Sequence, residues 1–160
     1  SDDLTTLLRH ADDPEVSRGL RDRFPSPYTR ADGEAFLAGR VLGPGTLNLA
    51  IEIDGQACGS VGAQPGTAER GHTAELGYWL GRALWGQGVM TRVVGRFAPW
   101  VMDELRLFRL QAEVLDFNEG SARVLLANGF AEEGTARCAV YKRGVLHDLR
   151  RFARVRTQLP

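Results

Sequence analysis

The apolar residues of this chain change their spacing several times, and each change predicts a secondary-structure element. Over residues 47–53 they alternate with polar residues, which is typical of a strand with one buried face. That face carries Leu47, Leu49, Ile51 and Ile53. Asp54-Gly55 follows immediately and favours a type I′ turn, so residues 57–63 are expected to return as the second strand of a hairpin.

In the middle of the chain, a strand, a glycine turn and a helix are expected in succession. The short aromatic run 74–80 is bounded by glycine and predicts a strand. After Gly86-Gln87-Gly88, apolar residues recur every fourth position from Val89 to Val101, which predicts a helix. Pro99 lies inside this periodicity and should kink or shorten the helix, because proline lacks a backbone donor.

The remaining patterns complete an α/β fold. Further helices and strands are expected over 4–10, 14–20, 29–40, 110–115, 121–128, 131–141 and 147–154, with a turn at Arg143-Gly144. Thr29-x-x-Asp32 should cap the third helix, and Asn118 and Gly129 should bound the last one. This order predicts a single domain over residues 1–160, with a mixed, mostly antiparallel central sheet flanked by helices.

Composition narrows the classes of function. The chain has 20 Lys and Arg against 20 Asp and Glu, and 43% of its residues are hydrophobic. This balance argues against a nucleic-acid surface or an electrostatic membrane anchor, so neither nucleic acid nor membrane is expected as a partner. Because no apolar run approaches membrane-spanning length and no signal peptide is visible, a cytoplasmic protein is expected.

The cysteines and histidines do not form a pattern that predicts a metal site or a disulfide framework. Cys58 and Cys138 are far apart, and His10, His72 and His147 are scattered without metal-ligand spacing. We expect two reduced, packed thiols and no bound metal.

The glycine turn at 86–88 is the first candidate for binding chemistry. A strand, a glycine turn and a helix form an arrangement that binds anions, because free N–H groups at the helix start point outward and the helix dipole favours negative charge there. Glycine also lets the backbone approach the anion closely. Taken alone, Gly-x-Gly is equally consistent with a plain tight turn.

Three blocks of residues, in this order and spacing, resemble the GNAT superfamily of acyl-CoA-dependent N-acetyltransferases. They are Glu75-Leu76-Gly77-Tyr78-Trp79-Leu80, then Trp85-Gly86-Gln87-Gly88-Val89-Met90, then Asn118-x-x-Ser121-x-Arg123-Val124-Leu125 with Asn128-Gly129-Phe130. They are most similar to the RimJ/RimL-type branch, whose best-known members acetylate protein N-termini. Two positions depart from the family pattern: Trp85 replaces a Gln or Arg, and Met90 replaces a small residue. The family usually has a strand before its first helix, and that first strand is expected to be missing here.

The resemblance implies an N-acetyltransferase that moves an acetyl group from acetyl-CoA to a primary amine by direct attack in a ternary complex. The strand before the glycine turn would separate from its neighbour and pair with the pantetheine arm, and an N–H near Leu80 would polarise the thioester carbonyl. The residues implied in binding acetyl-CoA are Tyr78, Trp79, Leu80, Gln87, Gly88, Val89, Met90, Thr91, Arg92, Asn118 and Arg123.

The catalytic candidates implied by the resemblance are Glu75, Ser121 and Asn118. Glu75 shares a strand face with Trp79, and desolvation there would suit a general base; alternatively, a neighbouring strand satisfies its carboxylate. Ser121 would protonate the leaving thiolate, while Asn118 would hold the pantetheine arm or order a water. Helix capping explains Asn118 and Ser121 equally well.

The acceptor is left open by the sequence. Phe24 and Tyr28 lie in a proline-rich segment that is either a rigid connector or, by resemblance, a cover of the acceptor pocket with an exposed ring in contact with the acceptor. A protein N-terminus, a free amino acid, a polyamine and an antibiotic amine all fit, and a homodimer remains open. The competing hypothesis is a CoA-binding sensor or interaction module that has lost catalysis.

Overall fold

The computed structural model describes residues 2–159, so residues 1 and 160 of the expected domain lie outside the described residues. The α-helices are α1 (Asp2–Ala11), α2 (Pro14–Arg18), α3 (Arg30–Leu37), α4 (Val89–Glu104) and α5 (Glu119–Leu126). The strands are β1 (Leu47–Ile53), β2 (Gln56–Pro65), β3 (Thr73–Leu80), β4 (Arg109–Leu115), β5 (Ala131–Lys142) and β6 (Val145–Val155). Short 3-10 turns lie at Ala68–Arg70 and Arg82–Leu84.

The six strands form one sheet in the order β1-β2-β3-β4-β6-β5. Only the β3–β4 pair within this sheet is parallel, and the other four pairs are antiparallel. The expected mixed, mostly antiparallel sheet with flanking helices is therefore confirmed.

The predicted turns and helix caps form at the expected residues. Asp54 and Gly55 have φ of 51° and 74°, and Arg143 and Gly144 have φ of 49° and 78°, so both hairpins turn through two left-handed residues. Thr29 and Asp32 form a reciprocal capping box at the start of α3. Asn118 caps α5 through its side chain, and Gly129, with φ of 76°, follows the end of that helix.

Several local expectations are wrong. Helix α4 continues past Pro99 to Glu104, so the shortening expected as one of two effects of Pro99 does not occur, because the apolar face stays buried on both sides of the proline and this packing outweighs one lost hydrogen bond. Helix α2 ends at Arg18 and does not continue to Leu20, since Gly19 caps it. Leu49 is exposed on the edge strand β1, and Cys138 is exposed and not packed, whereas Cys58 is buried.

Helices cover both faces of the sheet. On one face, α4 packs over a large apolar cluster that includes Val94, Val101, Leu107, Leu110 and Phe152, all fully buried. On the other face, a smaller cluster lies beneath α1 and α2 and is formed by Leu7, Ala11, Val16, Tyr28 and Trp79. Because side chains alternate along a strand, β3 contributes to both clusters.

The parallel β3–β4 ladder is short. It contains three residue pairs and ends at Glu75 opposite Gln111. Beyond that point β3 continues to Leu80 paired with β2, and β4 continues to Leu115 paired with β6. The strand separation implied by the resemblance is therefore present, and the facing edges of β3 and β4 carry backbone groups that this ladder does not pair.

The tip of the β5–β6 hairpin holds the loop between α2 and α3. Lys142 is buried, and its Nζ donates to the carbonyl of Leu20 at 2.6 Å and to Asp22 Oδ1 at 2.9 Å. The neighbouring Arg143 Nη2 donates to Ser17 Oγ at 2.8 Å, at the end of the same helix–loop segment. A strand far away in the sequence thus fixes the position of this loop.

We predict that Lys142→Met destabilises the protein by about 1–3 kcal/mol, because the Leu20 carbonyl would lose a charged donor in a buried position. Urea denaturation measures the change in the free energy of unfolding. Arg137→Met, at an exposed position of the same strand, is the matched control and should have little effect. Equal effects of the two substitutions would contradict the anchoring role of Lys142.

Candidate active site

A cleft of about 1100 Å³ opens where β3 and β4 separate. Its walls come from the free edges of these strands, the starts of α4 and α5, and the loop between α2 and α3. Most of the residues that the sequence singled out line this cleft, namely Phe24, Tyr28, Glu75, Tyr78, Trp79, Leu80, Gly88, Val89, Met90, Thr91, Asn118, Ser121 and Arg123. Gln87 and Arg92 are not among its lining residues.

The glycine turn presents the start of α4 to the cleft. Gly86 and Gly88 have φ of 73° and 72°, a conformation that glycine adopts without strain. Gly88 is the N-cap of α4 and forms no side-chain cap hydrogen bond, so the first N–H groups of the helix remain available to a ligand. Val89, Met90 and Thr91 line the cleft in this first turn. These donors fit a pyrophosphate group.

The two departures from the family pattern have separate structural explanations. Met90 is buried and belongs to the main core, so its larger side chain packs among apolar residues. Trp85 is 46% exposed and lines the cleft. Its indole Nε1 donates to the carbonyl of Leu80 at 2.8 Å, which ties the turn to the end of β3.

The side chains of Gln87 and Arg92, two residues implied in binding acetyl-CoA, form hydrogen bonds with the chain itself. Gln87 Nε2 donates to the carbonyl of Ala83 at 3.0 Å, and Arg92 Nη1 donates to the carbonyl of Gln87 at 3.3 Å. Both side chains thus brace the turn in this structure. The main-chain role expected for Gln87 is compatible with this arrangement.

The backbone of β3 directs donors into the cleft near its end. The Gly81 N–H donates to the carbonyl of Cys58, on the β2 side. Since backbone groups alternate along a strand, the N–H groups of Leu80 and Tyr78 point to the opposite side, where β4 has separated. The carbonyl of Leu80 points the same way and accepts the Trp85 indole.

A hydroxyl pair joins β3 to α5. Tyr78 Oη lies 2.7 Å from Ser121 Oγ, and either hydroxyl can be the donor. Asn118 Oδ1 accepts the Ser121 N–H at 3.3 Å, so the capping role of Asn118 is present. Burial raises the pKa of Tyr78 to about 12, although its hydrogen bond with Ser121 acts in the opposite direction. The Tyr78 hydroxyl therefore keeps its proton at neutral pH.

The contact of the Tyr78 hydroxyl is a feature that the sequence did not reveal. The resemblance implies only that Tyr78 helps to bind acetyl-CoA. The alternation along β3 predicts that its ring lies opposite Glu75, but nothing local indicates a partner 43 residues away on α5.

Glu75 has polar partners, and the expected desolvated environment beside Trp79 is wrong. Its side chain is 27% exposed, and Oε1 accepts Arg21 Nη2 at 2.5 Å. Oε2 accepts Gln111 Nε2 at 3.2 Å from the neighbouring strand. Arg21 also donates to Glu113 at 2.8 Å. Sequence reasoning missed both Arg21 and Glu113.

The aromatic residues of the proline-rich segment pack against the sheet. The Phe24 ring lies 5.0 Å from the Tyr28 ring and 5.4 Å from the Trp79 ring, measured between centroids. Tyr28 is buried, so the expected exposed ring is wrong for this residue. Burial, followed by the nearby charge of Asp32, raises the pKa of Tyr28 to about 12. Together these rings form an apolar wall of the cleft.

A model of the acetyltransferase (GNAT) domain family matches residues 1–131. This match covers well over half of the chain, and the chain therefore belongs to the GNAT acetyltransferase family. Similarity to a putative ribosomal N-acetyltransferase and to a ribosomal-protein-serine acetyltransferase supports the RimJ/RimL-type branch. None of the helices within residues 2–159 is both long and apolar enough to cross a membrane.

Individual relatives agree with this assignment. The chain is 43% identical over 76 residues to the probable N-acetyltransferase YjcK of Bacillus subtilis, a match covering 48% of this chain and 42% of YjcK. It is 33% identical over 85 residues to the ribosomal-protein-serine acetyltransferase of Escherichia coli, covering 52% of this chain and 46% of that protein. These matches span about half the length of the curated relatives.

Solved structures share the fold. RimL, a ribosomal alpha-N-protein acetyltransferase solved in complex with coenzyme A, superposes with a TM-score of 0.80. The sequences are 20% identical, and the superposition covers 95% of this chain and 85% of RimL.

We predict that Gly88→Val largely abolishes acetyl-CoA binding, because a branched side chain would stand where the backbone meets the pyrophosphate. Calorimetric titration measures the affinity, and circular dichroism checks the fold. Gly144→Val is the matched control: Gly144 has φ of 78° in the β5–β6 turn, with open space around it. Both variants should lose about 1–3 kcal/mol of stability from left-handed backbone strain. Unchanged acetyl-CoA affinity in Gly88→Val would contradict the assignment of this turn.

Proposed function

We propose that this protein is an N-acetyltransferase that transfers the acetyl group of acetyl-CoA to a primary amine by direct attack in a ternary complex. The observation that carries the proposal is the separation of β3 from β4 beside the uncapped start of α4. It supplies an unpaired strand edge for the pantetheine arm and helix N–H groups for the pyrophosphate. The relatives named as ribosomal-protein acetyltransferases favour a protein N-terminus as the first acceptor to test.

The backbone N–H of Leu80 is the proposed donor to the thioester carbonyl oxygen. It faces the gap, and the oxygen of that carbonyl becomes negatively charged when the amine adds. A preorganised donor of this kind contributes roughly 3–4 kcal/mol to lowering the barrier. Trp85 supports this arrangement, because its bond to the Leu80 carbonyl holds the same peptide segment in place.

Glu75 is the proposed general base. It accepts one proton from the amine, directly or through a water, as the nitrogen bonds to the acetyl carbon. Its position at the last rung of the β3–β4 ladder puts it at the inner end of the gap. The alternative, a purely structural carboxylate held by Gln111, is separated from this role by the variant below.

Ser121 is the proposed proton donor to the thiolate that leaves when the carbon–sulfur bond breaks. The Tyr78 hydroxyl is protonated at neutral pH, so it can donate a hydrogen bond to Ser121 Oγ. The Ser121 hydroxyl hydrogen is then free to point at the sulfur. Asn118 holds the Ser121 backbone through the cap and so fixes the hydroxyl at the start of α5.

We expect Glu75→Gln to lower kcat by about a hundredfold or more, which is the usual contribution of a positioned base. Acetyl-CoA affinity should hardly change, since the proposed role is chemical. Thiol release over a panel of amines, including peptides with free N-termini, measures turnover. Glu52→Gln, an exposed glutamate on β1, is the control. Unchanged turnover with a good acceptor would assign Glu75 to structure.

Ser121→Ala and Tyr78→Phe test the proton donor. If Ser121 protonates the thiolate, Ser121→Ala should lower kcat at constant acetyl-CoA affinity, and the loss should shrink with a thioester whose leaving group is a weaker base. Tyr78→Phe should lower kcat less, because it only orients Ser121. An unchanged rate per folded molecule would instead leave Ser121 with a structural role only, since alanine keeps the backbone N–H that the Asn118 cap uses.

The same thiol-release panel tests the competing hypothesis of a CoA-binding module without catalysis. That protein would bind CoA in calorimetry and release no thiol with any amine. The Arg21 and Gln111 contacts to Glu75 are the observation that keeps this alternative in view.

A further inference from the structure

One nitrogen of Arg21 lies between two carboxylates at the inner end of the cleft. Arg21 Nη2 is 2.5 Å from Glu75 Oε1 on β3 and 2.8 Å from Glu113 Oε2 on β4. Arg21 belongs to the loop between α2 and α3, and its side chain is 52% exposed. The two carboxylates come from adjacent strands that have just stopped pairing, so they face one cation from both sides of the gap.

Arg21 is the cation in this cluster that lies on a loop. Glu113 also meets Arg151 of β6, but at 3.5 Å. Glu75 is otherwise bound by the neutral Gln111, whose Oε1 accepts Arg109 Nε at 2.8 Å. Arg109 is itself paired with Glu133. Without Arg21, the only cation left near these two carboxylates in this cluster, among the described residues 2–159, would be Arg151, at the longer distance of 3.5 Å from Glu113. The inner end of the cleft would then carry a net negative charge.

A primary ammonium group suits this position. It offers one nitrogen with several N–H donors and one positive charge, which is what Arg21 Nη2 supplies between the two oxygens. A guanidinium on an exposed, long side chain can withdraw, because exposed ion pairs are individually weak. Phe24 also lines this cleft, whose volume of about 1100 Å³ leaves room for the rest of an acceptor.

We propose that Arg21 occupies, in the free protein, the place that the acceptor's amino group takes in the complex, and that Glu75 and Glu113 together bind that ammonium group. The inference rests on the proposed acetyltransferase function and states how this chain holds the cationic form of its primary-amine acceptor. Glu113 is then a specificity-determining residue. The ammonium group first releases one proton to water, Glu75 then takes the second proton as the nitrogen bonds to the acetyl carbon, and Glu113 holds the amine throughout.

The proposal predicts opposite effects for the two sides of this contact. Arg21→Ala removes the competitor and should lower KM for the amine by about threefold to tenfold, the range set by two exposed ion pairs. Glu113→Gln keeps the shape but removes a charge, and should raise KM by a similar factor with a smaller change in kcat. Glu75→Gln should mainly lower kcat. Arg21→Lys, which retains a cation, should stay near the wild type.

A binding experiment separates this inference from the proposed function. Calorimetry measures the affinity of n-butylamine and of seryl-alanine amide for the protein saturated with CoA, in which no transfer can occur. Arg21→Ala should tighten both by threefold to tenfold, and the gain should vanish in the double variant with Glu113→Gln. Arg30→Ala is the control, since Arg30 forms an exposed pair with Glu34 on α3 and does not line the cleft.

Each outcome decides one point. Unchanged or weaker amine binding in Arg21→Ala would overturn the inference, because Arg21 would then be indifferent to the acceptor or part of its binding site. An unchanged gain in the double variant would overturn the role of Glu113. Failure of the wild type to release thiol with any amine would count against the proposed function alone, since the binding comparison needs no turnover.

Discussion

The early end of the hydrogen-bond ladder between β3 and β4 is the constraint on which the rest of the site depends. Two adjacent strands of a sheet normally pair along their length, since unpaired backbone groups in an interior are unfavourable. Here each strand keeps its outer partner, β2 or β6, so the sheet stays intact while one edge of each strand is released. The released groups of β3 are the ones that a pantetheine arm would pair with. The gap is therefore the reason for the cleft and, in the proposed function, also its binding surface.

Because side chains alternate along β3, Glu75 and Tyr78 project to opposite faces of the sheet. Glu75 and Trp79 project to the face covered by α1 and α2, where Arg21 approaches. Tyr78 projects to the other face and meets Ser121 at the start of α5. A base and an acid that flank one reacting carbon need to approach it from different directions. Glu75 and Tyr78 are three positions apart on one strand, so they project to opposite faces and do not compete for space.

Local chemistry was predictable from the sequence, and long-range polar pairing was not. Asp54-Gly55 and Arg143-Gly144 form turns because two left-handed residues determine the geometry wherever they occur. The partners of Glu75 could not be predicted in this way. Arg21 lies 54 residues away, in a loop that Lys142 holds from 122 residues further on. Periodicity identifies which face a residue occupies but not which long polar side chain reaches it. Pro99 is the opposite case. The local expectation that proline shortens a helix fails there, because packing of α4 against the core outweighs it.

Capping and catalysis at the start of α5 use different atoms, so the two interpretations of this segment do not exclude each other. The cap uses Asn118 Oδ1 and the backbone N–H of Ser121. The Ser121 hydroxyl is not used by this bond and meets Tyr78 instead. A helix start selects Asn and Ser for stability, and the same cap then holds the hydroxyl at the edge of the gap. Because the cap orients the backbone of Ser121, its loss would misplace the hydroxyl as well as destabilise the helix. The residue types at such a position therefore cannot separate the two roles, and the Tyr78 contact is a separate feature that the cap does not explain.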